Sequence, residues 1–169
     1  MRFEITHEFE APLDALELAI LSPNLIDKVE RGLPNVERVK QTTHKLVGRV
    51  LERIWNYKPN VKVPAFAQPY VTLDMLAWDE RSVYSLDTHS SQWVITPSVK
   101  PEWSKYFRAS GTYALVSGSN GVTRRVVSGE AELNVPRVMK NLGERVIVAE
   151  VKKTFDAEAA ILRDLATLV

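Results

Sequence analysis

Three side chains in this sequence stand where acid–base or anion-binding chemistry is feasible. His7 lies in an alternating row with Phe3, Ile5 and Phe9, opposite Glu4, Thr6, Glu8 and Glu10, so its imidazole faces the buried side of a strand. There it either orients a ligand's polar end, acts as a base, or is a core histidine bonded to backbone. Glu52 falls in the row of Leu46, Gly48, Val50 and Ile54, where an unpaired carboxyl would keep its proton and serve as an acid. Pairing with an Arg, or a place at the wet end of the strand, would remove that role. Arg125 shares a face with Val127, Gly129, Ala131 and Leu133. It offers a guanidinium to Glu52 or to an anionic headgroup, unless it turns to water as hairpin arginines commonly do.

Other chemistries lack their residues. The chain has no cysteine, which removes disulfides, thiol nucleophiles and thiolate metal sites. His44 and His89 sit at expected turns, far from His7, and no His-x-x-His or His-Glu-x-x-His spacing occurs, so no metal is expected. Ser90, Ser91 and Ser117 lack the glycine-flanked elbow of a hydrolase, and Gly118, Gly121 and Gly129 do not form a phosphate loop. No cofactor is expected. What the chain has in quantity is aromatic surface: Trp55, Trp78, Trp93, Trp103, Tyr57, Tyr70, Tyr84, Tyr106, Tyr113 and Phe107, concentrated near strand ends and loops. Such rings build either an ordinary core or the walls of a cavity for rings and acyl chains. The candidate ligand-binding set is therefore His7, Glu52, Ile54, Trp78, Trp93, Trp103, Phe107, Tyr113 and Arg125, with Leu142 and Val146 from the terminal helix.

These residues need a scaffold, and the patterning supplies one. Residues 1–10 alternate as a strand; Pro12 then opens a short helix through Leu13, Leu16 and Ile20 that Ser22 and Pro23 stop. Asn24 caps a second helix carrying Leu25, Ile26 and Val29, ended by Gly32 and Pro34. Strands follow over 36–43 and 45–57, with a turn around Thr42, Thr43 and His44. A proline-interrupted connection, 59–69, leads to strands over 70–78, 82–89 and 92–96, joined at Asp79-Glu80 and Ser90-Ser91. The loop over 97–105 holds Trp103, and a long hairpin, 109–117 with 122–133, closes around Gly118 to Gly121. From Pro136 onward Val138, Leu142, Val146, Ala149, Val151, Phe155, Ala159, Leu162 and Leu165 trace one long helix. Gly143 inside it points to a bend or a close approach of the backbone to a neighbour.

Composition agrees with one folded unit spanning 1–169: 45% hydrophobic, 25% charged, and long enough to bury roughly 70% of its unfolded surface. A net charge of +1 is too small for a nucleic-acid footprint. No run approaches the roughly 18 apolar residues of a spanning helix, and residues 1–10 lack a secretory core, so a cytoplasmic protein with at most transient membrane contact is expected. A strand, two short helices, an antiparallel meander and a long last helix make an α+β domain whose curved sheet wraps that helix and leaves space lined by the inward rows.

The sequence is similar to the helix-grip or START-like superfamily, also called SRPBCC. RFEITHEFEAP resembles its first strand and first helix, and GTYALVSGSNGVTRRVVSGEAELNVP with MKNLGERVIVAEVKKTF resembles its bacterial branch of unknown function 2505. Gly129, Pro136, Gly143 and Glu144 stand at that branch's marks. The resemblance implies a curved antiparallel sheet of six to eight strands around the last helix and an interior cavity for a hydrophobic or amphipathic small molecule. It brings no catalytic residues. Non-enzymatic binding or transport of such a ligand is the function it implies. The alternatives are a cyclase or aromatase using His7 and Glu52 on a polyketide-like substrate, and phospholipid transfer between membranes with the Trp103 loop at the interface.

Overall fold

The computed structural model describes residues 1–63, 65, 68, 69, 72–134 and 137–167, the side chains at 101, 137–139 and 142 aside. Alternation makes β1 (Arg2–Phe9) a strand that buries Phe3, His7 and Phe9. Two short helices follow, α1 (Leu13–Leu21) and α2 (Leu25–Gly32), and their apolar residues Leu16, Ile20, Leu25 and Val29 are almost completely buried. The chain then runs through β2 (Val36–Val47), β3 (Val50–Pro59), β4 (Trp78–Ser85), β5 (Ser90–Pro97), β6 (Phe107–Ser117) and β7 (Thr123–Leu133) before α3 (Arg137–Ala166). The seven strands form one antiparallel sheet in the order β1-β7-β6-β5-β4-β3-β2. This is the expected α+β helix-grip architecture.

Three expected turns lie elsewhere, one of them Ser90-Ser91, which opens β5 while the chain reverses over 86–89. β2 runs straight through residues 42–44, with only a register shift between Gln41 and Thr43, and the reversal comes at Gly48-Arg49, where Gly48 has φ of 58°. Glycine meets that left-handed geometry without steric cost, and the bulge absorbs the polar Thr-Thr-His run without ending the strand. Further on, Asp79-Glu80 does not join two strands but lies within β4, preceded by a 3₁₀ turn at Leu73–Leu76. The polar pair is satisfied across the ladder: Asn56 donates to Asp79 at 2.8 Å and Tyr57 donates to Glu80 at 3.2 Å. Residues 70 and 71, the start of the strand expected there, and Pro136 lie outside the described residues, as do the side chains of Val138 and Leu142.

α3 buries Val148, Val151, Phe155, Ala159, Leu162 and Ala166, a stripe spaced by three and four residues. Val146 was expected on that stripe, yet it is 55% exposed. It stands two residues from Val148, about 200° around the helix, so it faces water when Val148 faces the core. At Gly143 the Leu133 side chain fills the place a Cβ would take, which is the close approach anticipated for this glycine. α3 lies nearest to β7, β1, α1 and α2; among the described residues β3, β4 and β5 do not approach it as closely. That lopsided grip leaves the inner face of β3–β5 to be filled by long side chains. No helix among the described residues is long and apolar enough to cross a membrane.

Candidate functional site

The inner row of β3 is Leu51, Arg53, Trp55 and Tyr57, all buried; Glu52 is exposed and Ile54 only half-buried on the opposite face. This reverses the expected orientation of the strand. Apolar content suggested that Leu46, Val50 and Ile54 pointed inward, but the larger rings of Trp55 and Tyr57 share parity with Arg53 and decide the matter by area buried. Antiparallel register carries the Arg53 row across the sheet as Arg53, Ser82, Trp93, Gly111, Gly129 and Phe3. The Trp93 ring lies across the two glycines: a Cβ on Gly129 would stand 2.6 Å from Phe3 and 2.7 Å from Trp93. Phe3 and Phe155 then close on Trp93, with ring centroids at 6.1 and 5.4 Å. The middle of the concave face is thus filled by the protein's own rings.

Beside these rings lies a buried chain of charge. Glu158 of α3 accepts from Arg125 Nη1 at 2.7 Å and faces Arg53 Nη2 at 3.5 Å. Arg125, 1% exposed, also donates through Nη2 to the Phe155 carbonyl at 2.9 Å and to His7 Nδ1 at 3.4 Å, among the rings of Phe9, Tyr113 and Phe155. A guanidinium can only donate, so His7 Nδ1 must carry a lone pair and Nε2–H donates to Asp156 at 2.8 Å. Arg53 is held more loosely. Its guanidinium stacks on Trp55 at 3.8 Å, its Nη2 is 4.0 Å from Glu80, and its buried Nη1 has no hydrogen-bond partner among the described residues; Arg125 Nε and Trp93 Nε1 are buried without one among them as well. Tyr57 donates to the other Glu80 oxygen and stacks face to face on Trp78, centroids 4.8 Å apart and planes 8° off parallel.

Protonation follows from this packing. Burial pushes the Glu80 carboxyl up, and Arg53 at its long distance offsets this only in part. Burial acts on Glu158 in the same sense, but Arg125 and Arg53 outweigh it and hold that carboxyl below the usual range. Burial lowers His7, and Arg125 works in the same direction against the Asp156 hydrogen bond, in keeping with the neutral tautomer set by its partners. Tyr113 is pushed up to about 12 by burial and stays a phenol. The arrangement can therefore present two guanidiniums, one firm carboxylate and one carboxyl poised to keep its proton.

Of the candidate residues, the structure brings His7, Trp93, Tyr113 and Arg125 to one interior region. Arg125 pairs with Glu158 rather than Glu52. Trp78 is half-buried at the Tyr57 end of the sheet, and Trp103 and Phe107 are half-buried around the β5–β6 connection, with Lys100 Nζ 5.1 Å from the Trp103 ring. Glu52 and Val146 face outward, and the Leu142 side chain lies outside the described residues. Sequence reading missed Arg53, Glu80, Glu158 and Tyr57; the shared parity of Arg53 with Trp55 and Tyr57 was the one available signal. Two surface clefts of about 420 Å³ open elsewhere, one around Met1, Phe107, Leu133 and Glu144, the other around Phe9, Val122 and Arg163, and neither borders Arg53 or Trp93.

The sequence matches the family described as protein of unknown function DUF2505 over residues 4–165. The chain belongs to the DUF2505 family. No curated protein matches the sequence. Solved structures share the helix-grip fold of this DUF2505 member. It is similar to the Zhui aromatase/cyclase of Streptomyces, with TM-score 0.67 and 12% identity over 99% of this chain and 93% of that one. It is likewise similar to norcoclaurine synthase from Thalictrum flavum, TM-score 0.63 and 14% identity over 96% and 86%, and to Ara h 8.0201, TM-score 0.58 and 10% identity over 96% and 97%. At these identities the shared property is the fold.

Proposed function

We propose that the protein binds or carries an apolar or amphipathic small molecule, without transforming it, on the concave face between β3–β5 and α3. The lopsided grip carries this reading. α3 lies against β7 and β1, whereas β3–β5 meet the interior through Trp55, Tyr57, Tyr84 and Trp93, rings that give a guest large apolar surfaces once they turn aside. The fold supports it, since the resemblance to helix-grip proteins implies an interior site for a hydrophobic or amphipathic molecule. Mass spectrometry of an organic extract of the purified protein, with a titration by the neutral dye Nile red, tests it. A co-purifying apolar compound or saturable brightening is the expected result; absence of both would remove the reading.

A second reading, an enzyme of cyclase or aromatase type, draws on the enzymes among the similar structures and on one observation. Glu80 keeps its proton to higher pH than an ordinary carboxyl because it is buried, and it lies beside Tyr57 and Arg53, an acid next to an anion-stabilising group. The pair first considered, His7 with Glu52, has its members on opposite faces of the sheet. Recovery of the bound compound chemically unaltered after prolonged incubation would count against this second reading.

A further inference from the structure

The two interior arginines are unequal. Arg125 is a strut: it donates to Glu158 at 2.7 Å, to the Phe155 carbonyl at 2.9 Å, and toward His7, tying α3 to β7 and β1. Arg53 is nearly as buried, 4% exposed, yet its two carboxylate neighbours stand at 3.5 and 4.0 Å, outside the 2.7–2.9 Å usual for charged pairs. One carboxylate, Glu158, serves both guanidiniums and lies closer to Arg125. Glu80 is shared with the Tyr57 hydroxyl, which takes its other oxygen. Among the described residues Arg53 Nη1 has no acceptor. A guanidinium stacked on Trp55, with carboxylates near it but a free N–H pair in a dry interior, costs stability unless an acceptor completes it.

We propose that Arg53 is the anchor for the acidic group of an apolar carboxylic acid, one carboxylate oxygen accepting from Nη1 while the apolar body packs on Trp55, Trp93 and their neighbours. This rests on the binding function proposed above and names its ligand class. A carboxylate suits the position better than a neutral carbonyl or hydroxyl, because it gives Nη1 the short charge-assisted hydrogen bond that Glu158 and Glu80, at 3.5 and 4.0 Å from Nη2, do not make. The remote, exposed Glu52 plays no part in it.

The test uses paired probes of equal chain length, octanoate and octanol, titrated by calorimetry into the full chain at neutral pH. Octanoate is expected to bind about tenfold or more tightly than octanol, the size of a charge-assisted hydrogen bond against a neutral one. Arg53→Gln should abolish that preference and leave octanol binding in place. Equal binding of the two by the natural protein, or a preference that survives in Arg53→Gln, overturns the inference and leaves the binding function standing. Failure of both probes and of Nile red would overturn the two together. Should the variant not fold, ¹³C NMR of carboxyl-labelled octanoate on the natural protein decides. A bound carboxyl titrating below the free acid supports the Arg53 contact, and one titrating at or above it refutes the contact.

Discussion

Replacing Glu158 by Gln removes the one charge that two buried guanidiniums share. Glu158 is only 13% exposed at its side chain, it accepts from Arg125 at 2.7 Å, and Arg125 itself is 1% exposed, so neither water nor salt can compensate the loss. Breaking a buried pair on one side costs about 3–5 kcal/mol, and because Gln keeps an acceptor for Arg125 the lower end, about 3 kcal/mol, is expected. With a urea dependence of about 2 kcal/mol per M for a chain of this size, the unfolding midpoint should fall by about 1.5 M. Chemical denaturation followed by tryptophan fluorescence reads this directly. The double variant Glu158→Met with Arg125→Met should lose less than the single one, since no charge is left stranded opposite the missing carboxylate. The pH dependence carries a sign. Glu158 has its carboxyl held below its ordinary value of 4.5 by Arg125 and Arg53, so its contribution is present above that value and is lost as pH falls through the folded one. The gap between natural protein and variant must therefore narrow on acidification. A single variant within about 0.5 kcal/mol of the natural protein at neutral pH would refute the assignment of this cluster as the tie between α3 and the sheet.

Gly129→Val should lower stability by about 1–3 kcal/mol in thermal or chemical melts, because the added carbons meet Phe3 and the Trp93 ring; an unchanged melt would mean that the ring does not lie over β7. Tyr84→Phe removes the 2.6 Å hydrogen bond to Glu17, on which His89 also converges at 2.8 Å, and should cost about 1–3 kcal/mol by urea denaturation. His7 is held neutral with its pKa lowered from 6.5, so the unfolded chain takes its proton first; stability should fall as pH drops below that value, and His7→Asn should flatten this limb of the stability profile. Trp103 is half-buried with Lys100 on its ring, so phospholipid transfer between vesicles is expected at background for the natural protein and Trp103→Ala alike. A rate above background that the substitution abolishes would establish the membrane role instead.

The alternation of residues 1–10 told which way His7 points, and the pattern of β7 set Arg125 on one face with Val127, Gly129 and Ala131 but left open whether it turned to water. β3 was not legible in this way. Its two rows both carry apolar residues, Val50 and Ile54 with Glu52 on one and Leu51, Trp55 and Tyr57 with Arg53 on the other, and a period of two cannot tell whether Glu52 or Arg53 is buried. Glu80 was mistaken for a turn residue because Asp79-Glu80-Arg81 is polar on its own, while its partners, Arg53 and Tyr57, lie on β3.

Sequence by itself determined the kind of fold, the two short helices after β1, the long last helix and the inward row of β1, because periodicity and backbone sterics act over a few neighbouring residues. Tertiary structure alone decided that Arg53 rather than Glu52 enters the interior, that Glu158 joins Arg53 to Arg125, and that Val146 faces water. A buried charge is tolerated only when partners from distant strands and helices meet it, and those partners become neighbours only after the sheet has closed on its last helix.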